Sequence, residues 1–321
     1  MTLTRPEISR TAAEDWFRSR SYRHDRFADV TALADRKRRL GLSVSLVLPA
    51  REVADTIGPV LDEVDALRGR AALVDQVVVV DAGSRDGTAD VARRRGAEVH
   101  DESDLLAETG PVLGKGDAMW RALSVARGDI VLYADADSTS FGPHFVYGML
   151  GPLLCDEGVR FVKATYHRPF TAPDGTVVDD AGRVTELTAK PLLAIFYPEL
   201  AGFGQPLAGE VAARRDLLCS IPFFTGYAVE AGMLVDVLRR AGLDAMAQVD
   251  LGSRRNRSQR LLALNSMSYA VAQAILARAR GGGAAAEPES YLHAANQPDG
   301  VRLERRRVRV VERPPLADLA V

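Results

Sequence analysis

The stretch Ile130-Val131-Leu132-Tyr133-Ala134-Asp135-Ala136-Asp137-Ser138 is an apolar run that stops at two acids separated by one alanine. Read as a strand, it sends residues two apart to the same side, so Asp135 and Asp137 project together. They stand at the strand's carboxyl end, where open α/β sheets bind ligands. Two hard oxygen donors there suit Mg²⁺ or Mn²⁺ carrying a substrate diphosphate. Acid pairs after apolar runs also begin ordinary solvated loops, so the chain around this one decides its weight.

Working upstream, Val44-Ser45-Leu46-Val47-Leu48-Pro49-Ala50 is a short β-branched run stopped by Pro49, and reads as a buried strand. Residues 53–69 read as a helix with Asp55 as its cap. Gln76-Val77-Val78-Val79-Val80-Asp81 is a second strand, ending in the turn-rich Asp81-Ala82-Gly83-Ser84-Arg85-Asp86-Gly87-Thr88. A helix to residue 97, a short strand at 98–100 and a loop lead to Gly114-Lys115-Gly116. A helix over 117–126 then returns to the Asp135 strand through Gly128-Asp129. This alternation predicts an α/β fold, a mainly parallel Rossmann-like sheet with helices on both faces.

Downstream the order loosens. Residues 159–166 alternate like a strand, 171–182 form a polar loop, and 184–197 look helical but interrupted by Pro191. Residues 228–241 and 259–279 read as helices, and 281–288 are low-complexity. Residues 301–311 alternate apolar and basic side chains like an edge strand with a solvated arginine side. The division expected is an amino-terminal helical extension (1–42), a nucleotide-sugar domain (43–210) and a smaller, mostly helical carboxyl-terminal part (211–321) with a mobile 281–290.

With 321 residues, 47% of them hydrophobic and 26% charged, the chain has ample material for a globular core. A net charge of −2 argues against a nucleic-acid binder. Arg36-Lys37-Arg38-Arg39 reads as a solvated helix end. Two cysteines, Cys155 and Cys219, cannot make a zinc site unaided, and nothing suggests a disulfide framework. The first ten residues lack an apolar signal core, and no apolar run of about 18 residues exists to span a membrane, so a cytoplasmic protein is expected. The five histidines form no cluster, and there is no His-Glu-x-x-His or Gly-x-Ser-x-Gly.

Three strand ends with polar tips describe a nucleotide pocket. Asp81 can accept hydrogen bonds from a base or ribose, or simply cap the turn that follows it. Gly114-Lys115-Gly116 is not a P-loop, since the spacers and the following Ser/Thr are missing. Lys115 can still neutralise a diphosphate at the start of a helix, where the dipole favours anions.

The order of Pro49-Ala50-Arg51-Glu52, the Asp81–Thr88 segment and Asp135-Ala136-Asp137 resembles that of nucleotide-sugar glycosyltransferases with the GT-A fold. Further motifs resemble the glucosyl-3-phosphoglycerate synthase family and its mannosyl relatives. They include Phe161-Val162-Lys163, Gly182-Arg183-Val184-Thr185-Glu186-Leu187, Gln205-Pro206-Leu207-Ala208-Gly209-Glu210, Gly226-Tyr227-Ala228-Val229-Glu230, Gln248-Val249-Asp250-Leu251-Gly252 and Arg313-Pro314-Pro315. The resemblance implies a retaining transfer of glucose or mannose from UDP-glucose, GDP-glucose or GDP-mannose to the 2-hydroxyl of 3-phosphoglycerate. It implies a product feeding glucosylglycerate or mannosylglycerate, compatible solutes, and a homodimer. By the match, Pro49, Ala50, Glu52, Asp81 and Ser84 hold the nucleotide, and Lys115 approaches the diphosphate. Asp135 holds the sugar or ribose, Asp137 binds Mg²⁺ or Mn²⁺, and Tyr227 and Glu230 contact the donor sugar. Leu207 lends its backbone near the reacting carbon, while Arg183, Thr185 and Asn256 serve the acceptor. A guanidinium fork and a hydroxyl suit a phosphate, and no carboxylate stands out as a nucleophile, which favours a front-face mechanism.

The match breaks at one point. Where the family carries a metal-binding histidine after its Leu-Gly pair, this chain reads Leu251-Gly252-Ser253-Arg254-Arg255-Asn256-Arg257, two residues shorter, with Arg254 in the histidine's place. An arginine cannot ligate a cation. Asp137, the diphosphate and water then hold the metal, or Arg254 takes over part of its charge neutralisation, or His293 is brought in from elsewhere. The departures near the donor leave both sugar and base open. Three alternatives stand beside the synthase: a GT-A transferase acting on a lipid-linked or other acceptor, a non-catalytic sugar-nucleotide binder, and a nucleotidyltransferase.

Overall fold

The computed structural model describes residues 10–69, 71–171, 177–178, 182–254, 261–281, 290–297 and 300–319. Its centre is one eight-stranded sheet. In spatial order the strands are Ser21–Arg23, Met246–Ser253, Phe161–His167, Val211–Arg214, Ile130–Tyr133, Val44–Ala50, Gln76–Asp81 and Glu98–Asp101. All neighbours pair in parallel except Val211–Arg214, which runs antiparallel to both of its neighbours. The α/β reading therefore holds. The sheet draws strands from all three segments delimited above, because Ser21–Arg23 and Met246–Ser253 extend the edge beyond Phe161–His167.

The inner strands form because each is apolar on both faces, as a sheet covered on both sides requires. Val47, Val78, Val80, Val131 and Tyr133 enter one core. Leu46, Leu48, Val77, Val79 and Leu132 enter the other. Successive residues thus alternate between two cores, the strand period of two. Helices Ala54–Arg68, Lys115–Ala122, His144–Cys155 and Val229–Ala241 supply the covering layers.

Several sequence expectations are corrected. Asp55 does not cap the first crossover helix; Asp86 Oδ2 and Thr88 Oγ1 accept from Ala54 N and Val53 N, both at 2.9 Å. The caps come from the turn after the second strand, so the two strand ends are tied together. Lys37 is not solvated: it is 3% exposed and donates to Ala72 O at 2.7 Å, with Asp75 at 2.6 Å. The Pro191 interruption is a π-helical turn, Thr185–Ala189, running into the α-helix Lys190–Phe196. The wider turn takes in a proline that lacks an N–H and crowds the preceding turn. Residues 300–307 are a strand, but of a separate antiparallel ribbon, Ser290–Gln297 with Gly300–Arg307. The low-complexity 282–289 lies outside the described residues. Both cysteines are free, and no helix among the described residues is long and apolar enough to cross a membrane.

Candidate active site

Val44–Ala50 lies between Gln76–Asp81 and Ile130–Tyr133, and the three strands point the same way. Their carboxyl ends therefore form one rim. Pro49 is half-buried and Ala50 buried, and Ala50 stands opposite Asp81. Glu52 has a left-handed backbone with φ +52°. Its N–H donates to Ser84 Oγ at 2.9 Å, and its carboxylate accepts from Arg85 N at 2.9 Å. Glu52 and Ser84, both expected at the donor, are thus bonded to each other. Asp81 Oδ2 caps the turn, accepting from Ser84 N at 3.0 Å. Its other oxygen, Oδ1, is buried without a partner among the described residues. A buried acceptor left unpaired costs about 1–3 kcal/mol, so this oxygen is free to accept a hydrogen bond.

Beside the rim stands a cluster of buried charges. Lys115 opens the helix Lys115–Ala122, and Glu230 lies in the first turn of Val229–Ala241. Gly116 lets these helices meet, since a Cβ there would lie 2.8 Å from Val229 Cβ. Lys115 Nζ sits 2.6 Å from Asp135 Oδ1 and 3.0 Å from Glu230 Oε1. Arg254 closes the other side, with Nη2 at 2.8 Å from Asp135 Oδ2 and 3.6 Å from Asp137 Oδ1. Its Nη1 reaches both oxygens of Glu210, at 2.6 and 2.8 Å, and Tyr166 OH at 2.9 Å.

Burial alone would raise the Asp135 carboxyl, but Lys115 and Arg254 on either side hold it well below the usual carboxylate range. Burial would lower the Lys115 ammonium, yet Asp135 and Glu230 keep it above its ordinary value. Burial pushes the Glu210 carboxyl up, while the Arg254 guanidinium bonded to both its oxygens opposes that. Asp135 is therefore a fixed anion between two fixed cations.

The acid pair differs from its sequence reading. The strand ends at Tyr133, so Asp135 and Asp137 occupy the turn beyond it. They are brought together by Arg254 rather than by strand alternation. Asp135 has both oxygens engaged by cations; Asp137 is 64% exposed. Among the described residues no group of three His, Cys, Asp or Glu side chains can hold a metal ion. His293 is on the separate ribbon. The donor set fits a cation held by Asp137 together with diphosphate oxygens and water, a common arrangement for Mg²⁺.

Arg183 and Thr185 enter the π-turned helix, with Thr185 buried. Glu186 pairs with Lys190 at 2.6 Å. A cavity of about 470 Å³ opens beside this turn, with Gly182, Thr165, His167, Arg168, Gln205 and Arg23 in its walls. Leu207 is half-buried and Tyr227 is 52% exposed. Asn256 lies outside the described residues.

Sequence reasoning assigned no role to Glu210 or Tyr166. A buried glutamate next to an apolar strand gives no signal until the arginine 44 residues later is seen to reach it. It also missed what steadies the Lys115 loop. Asp117, Arg121 and Arg313 form a buried network in which Arg313 grips Asp117 at 2.8 Å and the carbonyls of Thr109 and Pro111.

This fold, with a polar rim and a cation-flanked acid at its strand ends, has the features of a GT-A nucleotide-sugar transferase, and residues 45–172 match Glycosyl transferase family 2. The mannosyl-3-phosphoglycerate synthase of Rubrobacter xylanophilus is 56% identical and superposes with a TM-score of 0.87, covering 96% of this chain and 98% of that one. A glucosyl-3-phosphoglycerate synthase structure from Mycobacterium tuberculosis, in complex with Mn²⁺, UDP and phosphoglyceric acid, is 39% identical with a TM-score of 0.78, covering 90% and 94%. Glucosyl-3-phosphoglycerate synthase of Mycolicibacterium paratuberculosis is 46% identical over 75% of this chain and 73% of its own length. The chain belongs to this family of hexosyl-3-phosphoglycerate synthases.

Proposed function

We propose that this enzyme moves a hexose from a nucleoside diphosphate sugar to the 2-hydroxyl of 3-phosphoglycerate, with retention at the sugar carbon. The observation that carries the reading is Asp135 held as an anion between Lys115 and Arg254 at the nucleotide rim. Asp81 Oδ1 receives a base or ribose donor, with Pro49, Ala50, Glu52 and Ser84 shaping the rim. Asp135 and Glu230 accept hydrogen bonds from donor hydroxyls, and Tyr227 covers the sugar from the exposed side. Lys115 balances charge as the diphosphate leaves. Asp137 holds a divalent cation, Mg²⁺ or Mn²⁺, which when bound stabilises the leaving diphosphate as a Lewis acid. Arg183 and Thr185 hold the acceptor phosphate beside the cavity, with Asn256 expected to join them.

The carboxylates of this cluster are poor nucleophiles. Asp135 and Glu210 each have both oxygens engaged by cations, and Glu230 is tied to Lys115. This supports front-face displacement. The acceptor oxygen bonds to the sugar carbon on the side from which the diphosphate oxygen departs. That departing oxygen takes the acceptor's proton. The Leu207 backbone lies against the reacting carbon.

For the sugar we favour mannose, supported by the higher identity to the mannosyl synthase than to the glucosyl one. The family resemblance supports a homodimer, and the exposed Leu187, Ile195, Leu292, Val301 and Leu303 offer apolar area for it. The test is a product assay with GDP-mannose, GDP-glucose and UDP-glucose, each with 3-phosphoglycerate, with Mg²⁺, with Mn²⁺ and with chelator. A phosphorylated hexosylglycerate and released nucleoside diphosphate are expected, fastest with GDP-mannose. Donor binding without product from any pair would overturn the reading.

A further inference from the structure

Lys163 stands in the strand Phe161–His167, in the middle of the sheet, and no part of it reaches solvent. Lysines are almost never fully buried unless paired. Among the described residues this one makes no ion pair; its Nζ donates at 2.6 Å to the main-chain carbonyl of Ala208. Ala208 belongs to a tight turn, its own N–H bonding Gln205 O at 3.0 Å. Three parts of the site hang on that turn. Leu207 is in it. Gly209 lies so close to Asp135 that a Cβ there would be 2.3 Å from Oδ1. Glu210 ends it and receives Arg254.

We propose that Lys163 is a positioning residue for the transfer: by holding the Ala208 carbonyl it fixes the Gln205–Glu210 turn against Asp135, and its positive charge supplies about half of the grip. Burial lowers the ammonium to about 8. Glu230 from the helix above, Glu210 from the turn and Asp135 from the acid loop favour its charged form, while Lys115 opposes it. A charge-assisted hydrogen bond is roughly twice as strong as a neutral one. Loss of the proton therefore slackens the turn and misplaces the groups around the reacting carbon.

The inference rests on the proposed transfer for its kinetic arm only. The experiment is Lys163→Met, read by hydrogen exchange without substrate and by kcat and KM against pH. Methionine is unbranched, apolar and of similar volume, so it removes the charge and the bond to the Ala208 carbonyl while filling the same space. Amides over residues 205–210 are expected to exchange faster in the variant. The wild-type turn itself should lose protection as pH rises through about 8, after correction for intrinsic exchange. Turnover should fall on the order of 100-fold, as for misplacement of a reacting group, with both KM values little changed and the alkaline limb gone. Unchanged protection of 205–210 in the variant would overturn the proposal whatever reaction the enzyme catalyses. So would wild-type protection that stays level through pH 8, a measurement that needs no variant.

Discussion

Arg254 joins Asp135 to Glu210: one guanidinium nitrogen lies 2.8 Å from Asp135 Oδ2, and the other lies 2.6 and 2.8 Å from the two oxygens of Glu210. Glu210 is wholly buried, so removing the arginine strands a charge in the interior. Arg254→Met should cost about 3–5 kcal/mol in chemical denaturation. Adding Glu210→Gln should return much of that stability without returning turnover, because Asp135 still lacks its second cation. Recovery of turnover in the double variant would show that Arg254 acts on the fold alone.

Gly209→Ala tests the same anion sterically. The new Cβ would meet Asp135 oxygens at 2.3 and 2.4 Å, and Lys115 and Arg254 prevent the carboxylate from swinging away. Turnover is expected to fall by about 100-fold, in keeping with a small displacement of a reacting group. Wild-type kcat in this variant would remove Asp135 from the chemistry.

Asp137 is exposed, so Asp137→Ala should change stability by less than about 0.5 kcal/mol. Turnover should drop by about 100-fold or more, the scale of losing one electrostatic group at a developing charge. Its residual activity should no longer respond to Mn²⁺ or chelator. Normal, metal-insensitive turnover would mean that Lys115 and Arg254 neutralise the diphosphate unaided.

Glu102 provides a pH signature beside Asp81 at the strand-end rim, where its N–H bonds Asp81 O at 3.0 Å. Burial, then Asp101 and Asp117, push its carboxyl up to about 7 from an ordinary 4.5. Between those values the folded chain keeps a proton that the unfolded chain has released, so stability falls as pH rises from about 4.5 to 7. Glu102→Gln should abolish that loss. It should be more stable than the wild type at pH 8 by about 1–2 kcal/mol, allowing for solvent screening of a partly exposed group, and no different at pH 4.5. Equal pH dependence in the two proteins would refute it.

Much of the architecture is legible in the chain because inner strands such as Gln76–Asp81 carry their own signal: apolar on both faces and closed by turn residues. The Pro191 helix was readable as interrupted, but not as a π turn, since that depends on how neighbouring segments seat it. The antiparallel strand Val211–Arg214 and the edge strand Ser21–Arg23 were not readable. They are four and three residues long, and only their pairing partners make them strands.

At the site, Asp81, Lys115, Asp135 and Asp137 could be singled out from local sequence, because they follow strand or turn signals a few residues away. It did not suffice for Lys163, Glu210 or Arg313, whose partners lie 45, 44 and 196 residues distant.

The sequence alone thus determined the α/β layering, the polar tips of its strands and the likeness to hexosyl-3-phosphoglycerate synthases, because periodicity and turn chemistry are local properties. Only the tertiary structure decided what Arg254 does. Its charge could have met solvent, a diphosphate or a carboxylate, and the sheet places it 119 residues from Asp135 in sequence but 2.8 Å away in space. Buried there, it must be paired, and that requirement joins Asp135, Glu210 and Tyr166 into one site.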